Sequence, residues 1–361
     1  KFFFNNHKGR NYTFSYPQRN KIVVFDAINI KIIDKIILNN LDYTIITKRG
    51  GDFYINFGII VKTIINNFSF KCGFEIAYFL SLLQTIKPKV IITYFSRSNI
   101  GLLSKHYKAE YFSIQNGFHT LDHKLAWTPN LYCFGDYDKF LYKRSGIEIN
   151  NYFPIGSIKA SYYKNQLSKN DEIKYDICLV SQYRGEVEEI GGCEGILEYN
   201  LLLNFIQKYL KYNPINFVIA MNNHEPQKER LYYEEIFGDK ATYIDNKMEQ
   251  FTTYFIIDQS KIIISMNSTA SFEALGWGKK SFIFNLTGDL DFSLNKKFNK
   301  YLFMHNNLYS EFQNKIDFLL KINDREYEDL IRNDKKYFMN YNPELPAHEL
   351  IRGRIINYIN K

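Results

Sequence analysis

The chain has 361 residues, long enough for two domains, and 45% of them are hydrophobic and 17% aromatic, which excludes wholesale disorder. Its formal net charge of +8 suits an anionic ligand or membrane surface. No Lys/Arg run reaches five and no nucleic-acid motif is visible, so a nucleic-acid partner is excluded. The cysteines, Cys72, Cys133, Cys178 and Cys193, lack CxxC or zinc spacing and read as buried free thiols of a reducing compartment. No apolar run is long enough to span a membrane, and Lys1 to Lys8 is no signal peptide. The first residue is not Met, so the sequence is expected to be a fragment or a trimmed chain.

Apolar strands alternate with helical stretches along the chain. Lys21 to Phe25 predicts a strand, Ile30 to Leu38 an amphipathic stretch, and Tyr43 to Thr47 a second strand. Phe74 to Ile86 predicts a helix ended by Pro88, followed by a strand at Val90 to Phe95 and a helix at Ile100 to Tyr107. Strands are expected at Tyr111 to Gln115, Leu131 to Phe134 and Tyr152 to Ile155. The polar stretch Ser168 to Lys174 predicts a linker. Beyond it lie strands at Asp176 to Val180, Asn216 to Ala220, Ala241 to Ile244, Lys261 to Met266 and Ser281 to Phe284. Helices are predicted at Ile196 to Tyr212, Gln227 to Phe237, Tyr309 to Ile322, Asp324 to Phe338 and Ala347 to Ile359. The expected fold class is therefore α/β, with two open parallel sheets and ligands bound in a cleft beyond the strands' carboxyl ends.

The densest signal is the run Ile262 to Lys280, a buried strand, a polar turn at Asn267-Ser268-Thr269, and a helix carrying Phe272, Glu273 and Leu275. Ser268 or Thr269 caps that helix, whose N-terminus offers free N–H groups and a positive dipole end to a phosphate. An ordinary capped helix explains the same residues. Ser181-Gln182-Tyr183-Arg184-Gly185-Glu186 follows a strand; Arg184 suits bidentate phosphate binding and Glu186 carboxylate catalysis, or the two form a local ion pair in a solvated loop. Asn116-Gly117-Phe118-His119 displays His119 as a general acid or base, or as a turn histidine. His224 either bonds a ligand or caps the helix beginning near Pro226. Asp26 and Arg97 end the first and third strands of the first domain. There is no GxGxxG after the first strand, no P-loop and no HExxH, and Asp289 and Asp291 form a DxD by spelling alone.

Several segments in order resemble the bacterial surface-carbohydrate biosynthesis proteins: Lys87-Pro-Lys-Val-Ile-Ile-Thr-Tyr, Tyr111-Phe-Ser-Ile-Gln-Asn-Gly, Leu131-Tyr-Cys-Phe-Gly-Asp, Pro154-Ile-Gly-Ser, Leu179-Val-Ser-Gln-Tyr-Arg, and the run from Ser268 to Lys280. That family is similar to GT-B glycosyltransferases, including capsule and O-antigen enzymes that use cytidine-nucleotide donors of Kdo-like sugars. The resemblance implies two Rossmann-like domains facing a central cleft, with a helical C-terminal tail. It implies an acceptor-side domain over 1–167, a donor domain over 175–340, and a helix over 341–361 returning to the first domain. Gln182, Arg184, His224, Asn267, Ser268, Thr269 and Glu273 would hold the donor, Glu273 through sugar hydroxyls. Arg97 and Asn116 would meet the acceptor, and His119, Glu186 or Asp26 would serve catalysis. The glycine-rich turn often preceding the donor helix is here Met266-Asn267-Ser268. No metal and no cofactor is implied beyond the nucleotide sugar itself, a CMP-ulosonic acid such as CMP-Kdo being the first expectation. The other partner would be an oligosaccharide or lipid-linked acceptor. A cytoplasmic enzyme with peripheral contact at the inner membrane is expected. The alternatives are a nucleotide-sugar epimerase or hydrolase, and a non-catalytic assembly subunit on the same scaffold.

Overall fold

The computed structural model describes residues 10–26, 29–47, 51–94, 100–118, 127–168, 172–183, 185, 192–223, 225–286, 300–304 and 306–361. These group into two compact units, one of residues up to Gly117, 121–159 and 344–361, the other of 118–120 and 160–343.

The first unit contains β1 (Arg10–Thr13), β2 (Ile22–Phe25), β3 (Thr44–Ile46), β4 (Gly51–Tyr54), β5 (Val90–Thr93), β6 (Glu110–Ile114), β7 (Trp127–Cys133) and β8 (Glu148–Pro154). Six of them make one parallel sheet in the order β3-β2-β5-β6-β7-β8, and β1 pairs with β4 apart from it. Strands buried on both faces lose the polar alternation of an exposed sheet, which is why β2 (IVVF) and β5 (VIIT) read as continuous apolar runs. The helices are α1 (Ile30–Ile33), α2 (Phe57–Phe70), α3 (Phe74–Ile86), α4 (Ile100–Ser104), α5 (Asp136–Arg144) and α6 (Ile158–Tyr162), the last running across the boundary between the units. The stretch predicted from Ile30 to Leu38 is α1 continued by a π-helical turn, Asp34–Leu38. α3 ends where Lys87 turns left-handed ahead of Pro88. The helix expected to reach Tyr107 stops at Ser104.

The second unit carries β9 (Tyr175–Val180), β10 (Phe217–Ala220), β11 (Thr242–Ile244), β12 (Ser260–Ser265) and β13 (Lys280–Ile283), all parallel in the order β11-β10-β9-β12-β13. Its helices are α7 (Gly192–Tyr212), α8 (Pro226–Phe237), α9 (Thr252–Asp258), α10 (Thr269–Gly276), α11 (Tyr309–Lys321) and α12 (Asp324–Phe338). Pro226 opens α8 with a preset φ, and Asn323 caps α12 by accepting from the Glu326 N–H at 2.9 Å. The last helix, α13 (Ala347–Asn360), belongs to the first unit, where Arg352 donates to the Ile37 carbonyl at 2.7 Å and the Arg354 guanidinium lies 4.3 Å from the Phe153 ring centre.

Cys133 and Cys178 are buried free thiols as predicted; Cys72 is half-exposed, because it lies beyond the end of α2 rather than in a strand.

Candidate functional site at the carboxyl edge of the second sheet

Strand order selects the place. The chain leaves β9, builds β10 and β11 on one side, then crosses back to lay β12 and β13 on the other. The loops after β9 and β12 therefore diverge at a topological switch point, the crevice where open α/β sheets receive ligands. Gln182 follows β9 and spans that crevice. Its Oε1 accepts from the N–H groups of Met266 and Asn267, both at 2.8 Å, and its Nε2 donates to Asn267 Oδ1. Ser268 caps α10 through Ser268 Oγ, which accepts from the Ala270 N–H at 3.3 Å, and its own N–H donates to the buried Ser265 hydroxyl at 3.2 Å. Thr269 opens the helix, and its hydroxyl accepts from the Phe118 N–H at 3.2 Å. Asn267, Ser268 and Thr269 are all half-buried, so their polar groups stay within reach of a ligand. The structure thus brings Gln182, Asn267, Ser268 and Thr269 together at the positive end of a helix.

Glu273 sits one turn into α10 but is only 1% exposed, and its Oε2 accepts from the Tyr254 hydroxyl at 2.7 Å. Its carboxylate is directed into the unit, toward α9.

A second layer fixes the loops beside this turn. Glu229 of α8 is fully buried and accepts from Ser181 Oγ at 2.5 Å and from the Asn222 and Asn223 N–H groups at 2.7 Å each. Asn223 takes a left-handed φ of 62°, a conformation asparagine tolerates. The Tyr199 hydroxyl accepts from the Gln182 N–H at 3.1 Å and bonds the Tyr233 hydroxyl, which in turn meets Ser181 Oγ at 2.7 Å. Burial raises the pKa values of both tyrosines above the usual range, so both remain neutral donors. Gly185 has φ +79°, a left-handed conformation that glycine adopts without strain, and a Cβ there would displace the Glu225 carboxylate, whose Oε2 would lie 2.7 Å away. At the end of β13, the buried Asn285 Nδ2 has no hydrogen-bond partner among the described residues, while Glu198 accepts from the next N–H, that of Leu286. None of Tyr199, Glu198, Glu229, Tyr233 or Asn285 stands in a recognisable motif; for the first four the available signal was a polar residue on the inward face of a predicted helix, and for Asn285 a polar residue directly after a predicted strand.

In the first unit the corresponding switch point lies between β2 and β5. Asp26 stands there, buried, with φ 64° and its N–H donating to the Ile46 carbonyl at 2.7 Å. Asn116 follows β6 and is half-buried. Arg97, His119, Arg184, Glu186 and His224 lie outside the described residues, as do Asp289 and Asp291. Among the described residues no group of three or more His, Cys, Asp or Glu is arranged to hold a metal ion.

A family model described as "putative O-antigen biosynthesis protein" matches residues 137–351, more than half of the chain. The chain belongs to this O-antigen biosynthesis family. No curated protein matches it. Among solved structures, UDP-GlcNAc 2-epimerase of Neisseria meningitidis bound to UDP-GlcNAc superposes with a TM-score of 0.56 at 13% identity, over 93% of this chain and 99% of that one. The Methanocaldococcus jannaschii UDP-GlcNAc 2-epimerase, in complex with UDP-GlcNAc and UDP, gives 0.54 at 12% identity over 93% and 99%. MnaA of S. aureus with UDP gives 0.57 at 13% over 94% and 97%. At such identities the likeness is one of fold, and it is the α/β, GT-B-like class of two Rossmann-like units that the sequence predicts. Family membership places the protein in O-antigen biosynthesis, and its fold is GT-B-like. Among its described residues no helix is long and apolar enough to cross a membrane.

Proposed function

We propose that the protein is a glycosyltransferase that takes a sugar from a nucleotide donor and adds it to a growing surface polysaccharide or its lipid-linked precursor. The observation that carries this reading is the Gln182 clamp, which ties the loop after β9 to the capped N-terminus of α10 at the switch point. Donor phosphate would lie on the α10 N-terminus, held by Ser268 and Thr269, with Arg184 and His224 supplied by the neighbouring loops. Asn267 and Gln182 would shape the turn. Glu273, buried against Tyr254, would position α10 from behind or reach donor hydroxyls only after leaving that partner. In the transfer the acceptor hydroxyl attacks the anomeric carbon as the bond to the donor phosphate breaks. The acceptor's proton passes to a base, for which His119, Glu186 and Asp26 are the candidates, and the nucleotide leaves with the bonding electrons. Helix dipole and Arg184 would stabilise the leaving charge electrostatically, so the reaction is proposed to need neither metal nor cofactor. Arg97 and Asn116 are the proposed acceptor contacts.

The family description and the nucleotide-bound fold neighbours support this reading. The fold neighbours also support a second one, because three named above are UDP-GlcNAc 2-epimerases or carry UDP. Product analysis separates the two. A transferase releases nucleotide only when an acceptor glycan is added, and activity survives EDTA. Conversion of a UDP-sugar to its epimer without acceptor would establish the epimerase instead. Donor panels should include CMP-Kdo and UDP-GlcNAc, the first implied by resemblance and the second by the fold neighbours.

A further inference from the structure

The amide of Asn285 is a polar group at the carboxyl edge of the second sheet that the donor-site reading leaves unused. The side chain is 1% exposed and its Nδ2 has no hydrogen-bond partner among the described residues, a penalty that native structures rarely carry without a use for the group. Strand alternation fixes where it points. Ser281 Oγ donates to the Ser271 carbonyl of α10 at 2.9 Å, so position 281 faces α10. Phe282 and Phe284 face the other way, onto the rings of Phe312 in α11 and Phe205 in α7. Asn285 therefore returns to the α10 face. The ladder is still regular there, because the Phe284 N–H donates to the Ser265 carbonyl at 2.8 Å. Asn285 thus stands beside the Met266-Asn267 turn that leads into the α10 N-terminus. Glu198 of α7 accepts the next N–H, that of Leu286, and so holds the backbone that carries Asn285.

What surrounds it is donors. The acceptors of the turn are already engaged: Gln182 Oε1 by the Met266 and Asn267 N–H groups, Asn267 Oδ1 by Gln182 Nε2, Ser268 Oγ by the Ala270 N–H, and Thr269 Oγ1 by the Phe118 N–H. A hydroxyl that accepts keeps its own proton to give, so Ser268 and Thr269 each retain a donor. The Thr269 N–H, the first of α10, has no acceptor among the described residues. Donors gathered at the positive end of a helix suit a phosphate, whose oxygens only accept. Asn285 Nδ2 adds one more such donor, supplied from β13 rather than from the turn itself.

We propose that Asn285 is a donor-binding residue, its Nδ2 donating to a phosphate oxygen of the nucleotide sugar held at the α10 N-terminus. The proposal rests on the donor-site reading and adds to it a residue from β13. Two variants test it, by urea denaturation and by calorimetric titration with CMP, CDP, UDP and GDP. Asn285→Leu keeps the volume and removes an amide that the protein alone leaves unpaired, so its urea midpoint is expected at or above the parent's. The nucleotide that binds the parent is expected to bind this variant at least about tenfold more weakly, the loss of one hydrogen bond to a charged group. Asn285→Asp sets a carboxylate against the phosphate and should lose more than Asn285→Leu. A midpoint lowered in Asn285→Leu shows that the amide serves the fold and overturns the inference. So does affinity equal to the parent's in Asn285→Leu, and so does Asn285→Asp binding as well as Asn285→Leu, which places a non-ionic group of the ligand there. Should Asn285→Asp fail to fold, the midpoint and affinity of Asn285→Leu still decide. A parent that binds none of the four nucleotides overturns the donor-site reading itself, whereas full binding by parent and variants alike overturns only the role of Asn285.

Discussion

Removing the Gln182 side chain tests whether the switch-point turn is held as described. Gln182→Ala deletes two accepted N–H bonds of 2.8 Å and one donated bond to Asn267. Each neutral hydrogen bond contributes about 0.5–1.5 kcal/mol, and because the site is half-buried water recovers part of the loss, so the expected cost is about 1–3 kcal/mol of stability. Gln182→Glu keeps an acceptor for both N–H groups, and Asn267 can turn its amide to donate to the new oxygen. Its expected stability cost is therefore under about 1 kcal/mol. It nonetheless places a negative charge beside the α10 N-terminus, where like-charge repulsion of ~1.4 kcal/mol or more weakens nucleotide binding at least tenfold. Urea titration measures the first quantity and calorimetry with nucleotide the second. Stability unchanged in Gln182→Ala, or nucleotide bound by Gln182→Glu as tightly as by the parent, would refute the reasoning.

Glu229→Ala leaves the backbone N–H groups of exposed Asn222 and half-buried Asn223 and the buried Ser181 hydroxyl without their acceptor, for an expected loss of about 1–3 kcal/mol, with Glu229→Gln costing less; urea midpoints distinguish them. Tyr254→Phe removes the hydroxyl that donates to the buried Glu273 carboxylate and should destabilise the second unit by about 1.5–3 kcal/mol, measured the same way. Two buried groups of the first unit make its stability depend on pH in opposite senses. Burial lowers the His348 pKa to about 4, so as pH falls from 6.5 the unfolded chain takes up the proton first, and stability is lost towards pH 4. Burial raises the Asp138 carboxyl to about 7 despite N–H donors from Phe134, Gly135 and Gln115, so stability is instead lost as pH rises from 3.8 towards 7. His348→Gln should therefore flatten the acid-side loss and Asp138→Asn the neutral-side loss, seen in denaturant midpoints between pH 4 and 7.

The strands that carry the site were readable because a doubly buried parallel strand is a plain apolar run: Ile262-Ile263-Ile264 and Val90-Ile91-Ile92 need no context. The cap at Ser268 was legible from residue type and position. What Gln182 bridges was not, since its partners depend on β9 lying beside β12, and strand order leaves no local mark. Glu273 was correctly placed one turn into α10, but helix periodicity alone did not show that its carboxylate would be buried against Tyr254 of another helix. Glu229 was invisible because its partners include the backbone N–H groups of Asn222 and Asn223, which leave no mark in residue type. The helix α2 escaped because its Thr63 and Asn66 face inward and its apolar stripe faces out, the reverse of the usual pattern. β1 and β4 are short and pair only with each other, too little periodicity to detect.

Calorimetric titration of the protein with CMP, CDP, UDP and GDP, repeated on Arg184→Ala and Ser268→Ala, tests the donor site most directly. The account predicts that one nucleotide binds the parent and that Arg184→Ala weakens it by roughly 1.5–3 kcal/mol, the range for a hydrogen bond to a charged group, with a smaller loss for Ser268→Ala. Absence of binding by all four, or equal affinity in parent and both variants, would contradict it.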